Sequence, residues 1–155
     1  MKSAISVFFI AFFQLLCSSQ QVETHLRYDA GSRLTNVWNS IGQRTIILYD
    51  TKGNLTKRVS FGPAKVTLPD NIGKVIVGKT KSICLEVSHE YLPITNILTK
   101  AISSSPMISD LKILGESTNR VLSFASKKKG RVELSVIATD GFVSSTNNIS
   151  LIAVE

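Results

Sequence analysis

The chain predicts a mostly β protein, an antiparallel β-sandwich carrying one short N-terminal helix. Apolar and polar residues alternate from Arg131 to Ala138, the period of a half-buried strand. Short apolar runs elsewhere are punctuated by Gly, Pro, Asn and Asp, and no strand-helix-strand alternation runs through the chain.

The elements follow in order. Residues 1–19 read as a secretory signal peptide: Lys2, an apolar run from Ala4 to Leu16, then the small residues Cys17-Ser18-Ser19, with cleavage expected after Ser19. The run contains Ser6 and Gln14 and falls short of the about 20 apolar residues that a spanning helix needs. A secreted, extracellular product without stable membrane insertion is therefore expected. Removal of the leader leaves 136 residues, enough for one domain with a core of its own. Residues 20–44 are read as an N-terminal segment and residues 45–155 as the sandwich.

In the N-terminal segment, Leu34, Val37, Trp38 and Ile41 fall at helical spacing between Ser32, a candidate N-cap, and Gly42, a candidate stop. Thr45–Asp50 and Leu55–Phe61 flank Thr51-Lys52-Gly53-Asn54 as a β-hairpin. Because Ile46 and Leu48 face one way and Ile47 and Tyr49 the other, the hairpin is expected inside the sandwich core. Lys65–Leu68, Lys74–Val77 and Ser82–Val87 are further strand candidates between Pro63, Pro69, Gly73 and Gly78. Ile94, Ile97, Leu98 and Ala101 suit a helix or a strand. Val121–Ala125, the alternating segment and Asn148–Val154 read as a three-stranded meander whose core face holds Val132, Leu134 and Val136. No internal repeat is evident.

Gly130-Arg131-Val132-Glu133-Leu134-Ser135-Val136-Ile137-Ala138-Thr139-Asp140-Gly141, followed by Asn148–Val154, resembles the closing strand pair of extracellular immunoglobulin-like sandwiches of the cadherin-like and polycystic-kidney-disease types. The motif is G-x-x-x-L-x-V-x-A-x-D-G, and the likeness covers about 25 residues. It implies an immunoglobulin-like β-sandwich that works as a binding or adhesion module. The cysteine pair linking the two sheets in antibody domains is absent, and so are the acidic motifs that accompany this turn in calcium-binding cadherins, so no calcium site is carried over. Arg44–Leu55 (RTIILYDTKGNL) is similar to the β domain accompanying von Willebrand A domains in hemicentin-type matrix proteins.

Function is less legible than fold. Without the leader, 17 basic residues stand against 11 acidic ones, a net charge of +6 that favours anionic surfaces. Lys127, Lys128, Lys129 and Arg131 form the one basic run and are the candidate anion-binding residues, with anionic polysaccharide as the partner. The bland alternative is a solvated turn kept polar against edge pairing. No aromatic side chains interleave with the run, which argues against nucleic acid. Asn54-Leu55-Thr56 and Asn148-Ile149-Ser150 are N-glycosylation sequons, the first on a loop.

Cys84 is the only cysteine beyond the leader and is expected to be buried, because a lone thiol more often packs than pairs. A Cys84–His89 nucleophile is disfavoured, since the two positions point to opposite faces of a regular strand. No metal-ligand spacing, phosphate loop or serine elbow is present, and no cofactor is expected. The sequence thus points to a non-enzymatic extracellular module that binds protein or glycan, ahead of an anionic-surface binder and a small secreted hydrolase.

Overall fold

The computed structural model describes residues 22–155, so the expected leader lies outside the described residues. The described chain is mostly β: strands form three four-stranded sheets, nearly all of their pairings antiparallel. Its one helical piece is a 3-10 turn at Ile94–Asn96.

The first sheet is a meander of β1 (Thr24–Tyr28), β2 (Leu34–Asn39), β3 (Arg44–Tyr49) and β4 (Leu55–Phe61) in sequential order. Residues 34–39 are therefore a strand, and the expected N-terminal helix is replaced by β2. Thr35, Val37 and Trp38 are β-branched or aromatic and fit a pleated surface. Leu34 and Trp38 share one face while Val37 lies on the other, and Ile41 sits in a turn, so the helical spacing came from two faces of a strand.

The three turns of this meander are built alike. At Asp29–Arg33, Asn39–Gln43 and Asp50–Asn54, the first residue's N–H donates to the carbonyl of the fifth, and the fourth N–H donates back to the carbonyl of the first. The first side chain accepts from the fifth N–H in every case, at 2.8–3.0 Å. The fourth residue, Ser32, Gly42 or Gly53, has positive φ. This is the three-residue hairpin loop closed by a left-handed residue. The recurrence corrects the reading of no repeat: Tyr28-Asp29 with Leu34 returns 21 residues later as Tyr49-Asp50 with Leu55.

The second sheet has the order β5 (Lys65–Thr67), β7 (Thr80–Ser88), β10 (Asn119–Ser126), β9 (Ile108–Leu114). The third has the order β6 (Val75–Ile76), β12 (Ser144–Val154), β11 (Gly130–Thr139), β8 (Leu98–Ile102). These two pack face to face. Val66, Ile83, Leu85, Val87, Leu122 and Phe124 of one meet Val75, Val132, Leu134, Val136, Ala138, Ile149 and Leu151 of the other. The alternation seen in the sequence is thus the inward face of β11, with Arg131 and Glu133 outside.

Two core expectations change. Ile46 is only half-buried and Leu48 is exposed, and the sandwich core draws on no residue of the first sheet, so the β3–β4 hairpin is not part of that interior. The stretch 45–155 accordingly holds most of β3 and all of β4 in addition to the sandwich. Likewise β10 and β11 lie in different sheets, so the Lys127–Lys129 connection passes from one sheet to the other over the end of the sandwich and does not join neighbours of a meander. β11 and β12 do pair directly, through ten registered residue pairs from Gly130↔Ala153 to Thr139↔Ser144.

Candidate functional site

The basic run sits on a short crossing held by hydrogen bonds. Ser126, at the end of β10, is fully buried, and its hydroxyl donates to the Lys128 carbonyl at 2.7 Å. The Lys127 N–H donates to the Met107 carbonyl, and the Ser126 carbonyl accepts from the Gly78 N–H, both at 2.8 Å. Lys127, Lys128 and Lys129 are exposed as a result. Lys129 reaches Glu155 at 3.2 Å.

Arg131 does not join them. Its Nε lies 2.9 Å from a Glu133 carboxylate oxygen and donates to Ser150 Oγ at 3.1 Å, on the outer face of the third sheet. The run therefore divides into three lysines at the tip and an arginine tied to the strands.

The other singled-out residues are dispersed. Asn54 ends the third meander turn and donates through Nδ2 to Asp50 Oδ2 at 2.9 Å. Asn148 lies within β12, exposed, and accepts from the Ser135 hydroxyl at 2.7 Å. Cys84 is exposed on the outer face of β7, contrary to the expected burial, because the inward positions are taken by Ile83 and Leu85. His89 follows β7, about 16 Å along an extended chain from Cys84. Its Nδ1 accepts the N–H groups of Tyr91 and Leu92, at 3.0 and 2.9 Å, which places the proton of the neutral ring on Nε2. Burial, the main cause, holds the imidazole below its ordinary 6.5.

Two buried cations escaped the sequence reading. Arg44, at the start of β3, binds Asp140 Oδ2 through Nη1 at 2.5 Å and Asn36 Oδ1 through Nε and Nη2. Its guanidinium carbon lies 3.7 Å from the centroid of the Phe142 ring, which is itself packed edge-on against Trp38. Asp140 lies in the β11–β12 turn and also accepts the N–H groups of Phe142 and Val143. Burial alone would raise its carboxyl, but those N–H groups and Arg44 outweigh it and hold the group below 3.8. This pair, with Phe61 packed on His89 and Tyr91, fastens the meander to the sandwich.

Arg120 is the second cation, and its partners are neutral. It donates to the carbonyls of Ile94, Ile97, Glu116 and Ser117 and to the Thr99 hydroxyl. It fixes the 3-10 turn and the start of β8. Neither arginine stands out in sequence, since their partners lie as far as 96 residues away.

Among the described residues, no helix is long and apolar enough to cross a membrane, and no three His, Cys, Asp or Glu side chains gather as a metal site. No protein-family model and no curated protein matches the chain. Among solved structures, it is similar to the D00-D0 domain of Intimin, at 15% identity and a TM-score of 0.42, over 88% of this chain and 80% of that one.

Proposed function

We propose that the protein is a secreted, non-enzymatic binding or adhesion module built on an immunoglobulin-like sandwich. The fold part of this reading is supported by strand order. If β5, β7, β8, β9, β10, β11 and β12 are lettered A, B, C, D, E, F and G, the two sheets take the ABED and CFG orders of that fold, with β6 added beside G.

The observation that carries the functional part is the meander sheet. It is joined to the sandwich at one end, through Arg44–Asp140 and the aromatic contacts, and its two faces contribute nothing to the sandwich core. Every residue of β1 is exposed, and Leu26, Tyr28, Ile41, Leu48 and Leu55 leave large apolar area in solvent. Exposed apolar surface with an open strand edge is the kind of surface that partners cover.

The test is solid-phase binding to extracellular matrix and cell-surface preparations. Replacing Leu26 and Tyr28 together by Glu is expected to abolish binding while thermal unfolding stays close to that of the parent. Undiminished binding by that variant would overturn the assignment to this sheet. Sequencing of the secreted product, expected to begin at Gln20, tests the compartment separately.

A further inference from the structure

The basic run is one part of a larger cationic surface. Three connections cross between the two sandwich sheets at the same end of the molecule: Val77-Gly78-Lys79 from β6 to β7, Ser103–Met107 from β8 to β9, and Lys127–Lys129 from β10 to β11. They are hydrogen-bonded to one another, the first to the third through Gly78 N–H and the Ser126 carbonyl, and the second to the third through the Met107 carbonyl and Lys127 N–H. Met107 also packs against Gly130, where a Cβ would lie 3.4 Å from the methionine methyl.

Lys79 is thereby set beside the lysine tip, although 48 residues separate it from Lys127 in sequence. It is exposed and closes a turn whose Gly78 has φ +74, with its own N–H on the Ile76 carbonyl at 3.1 Å. Lys74, also exposed, flanks the same end at the entry to β6. Glu155 is the one acid paired with these lysines among the described residues, through Lys129.

We propose that Lys79, Lys127, Lys128 and Lys129 form a single anion platform for sulfated polysaccharide. The inference rests on the extracellular reading, and adds a second surface at the end opposite the meander. Chemistry favours this occupant. The charges are ammonium groups on backbone turns that are already fixed, so a polyanion meets a preset array and orders only the lysine side chains. Sulfate groups along a chain suit several separated point charges. The described exposed aromatics, Tyr28 and Tyr91, belong to the meander end, so base stacking has no support here. The large exposed apolar residues near this end are two, Ile76, which opens the turn that Lys79 closes, and Ile152, paired with Arg131, a small area for a bilayer to take up.

The experiment is salt elution of the purified protein from immobilised heparin, with thermal unfolding recorded for each variant. Lys79→Ala alone is expected to elute at lower salt, and Lys79→Ala with Lys127→Ala and Lys128→Ala to flow through at physiological salt with an unchanged melting temperature. Glu155→Gln should elute later, because it frees Lys129. Removing the same charge from Lys52, Lys57 and Arg58 should leave elution nearly in place. An equal loss in that distant triple would overturn the platform in favour of diffuse charge, and a silent Lys79→Ala would reduce it to the linear run. Retention on phosphatidylserine vesicles with none on heparin would replace the polysaccharide by a membrane. N-terminal sequencing reports on compartment independently, so failure of the platform and failure of the extracellular reading stay distinguishable.

Discussion

Asp140 accepts hydrogen bonds from Phe142, Val143 and Arg44, with its side chain 1% exposed and that of Arg44 8% exposed. Asp140→Asn keeps the turn geometry but leaves the guanidinium without a counter-charge. Removing one member of a buried pair costs about 3–5 kcal/mol, which urea unfolding at neutral pH should register. The pH dependence has a definite sign. The folded-state carboxyl titrates below its ordinary 3.8, so its stabilisation is complete above that value and is lost as pH falls through the lower folded-state value. The acid limb of stability should therefore be steeper in the parent than in Asp140→Asn. Arg120→Met makes a complementary case, removing one donor from each of four carbonyls and a hydroxyl, of which the Ile94 carbonyl keeps the Ile97 N–H. A loss of about 3 kcal/mol is expected in urea unfolding, with faster amide exchange from Ile94 to Ile102. Such residues are invisible in sequence because an arginine becomes structural only through partners that tertiary folding delivers. Lys127–Lys129 could be read because adjacency alone reveals a run, whereas Lys79 joined it only once the sheet crossings were in place.

Among the elements, legibility followed burial. β11 was plain because one of its faces packs and the other does not: Val132, Leu134, Val136 and Ala138 are buried, and the residues between them are not. Leu134→Ala should cost about 2–5 kcal/mol by transfer and cavity terms, measured as a shift in the urea midpoint at unchanged slope. A loss under about 1 kcal/mol would contradict its place in the core. β2 was misread for the opposite reason. All six of its residues are half-buried, so nothing enforces a period of two, and apolar residues from both faces and a turn fell into helical spacing. Turn chemistry held the better signal there. Asp29, Asn39 and Asp50 each open a five-residue turn, and that spacing would have revealed the meander before any strand propensity did. The β10–β11 crossing was beyond reach, because a short polar loop between two strands looks the same whether it stays in one sheet or changes sheets.

At the scale of the molecule, β11 has a platform lysine turn at one end and Asp140, the anchor of the meander, at the other. It spans ten residues, about 33 Å of extended chain. If both ends are held by partners, tension runs lengthwise along β11. Because β11 is already extended, a load between its two ends is carried by its own covalent backbone, and its ten registered pairs hold the strand in place without bearing that load. Resistance to pulling is then directional. In a Cys84→Ser background, handles at Lys128 and Gly141 should show no rupture step at forces where handles at Ile76 and Leu98, which peel the third sheet from its edges, unfold the chain. Single-molecule extension along the two axes would reveal the contrast, and equal rupture forces would mean that the strands do not carry the strain. Such anisotropy would let the module serve as a tether under flow, stiff along the line joining its two attachments and yielding across it.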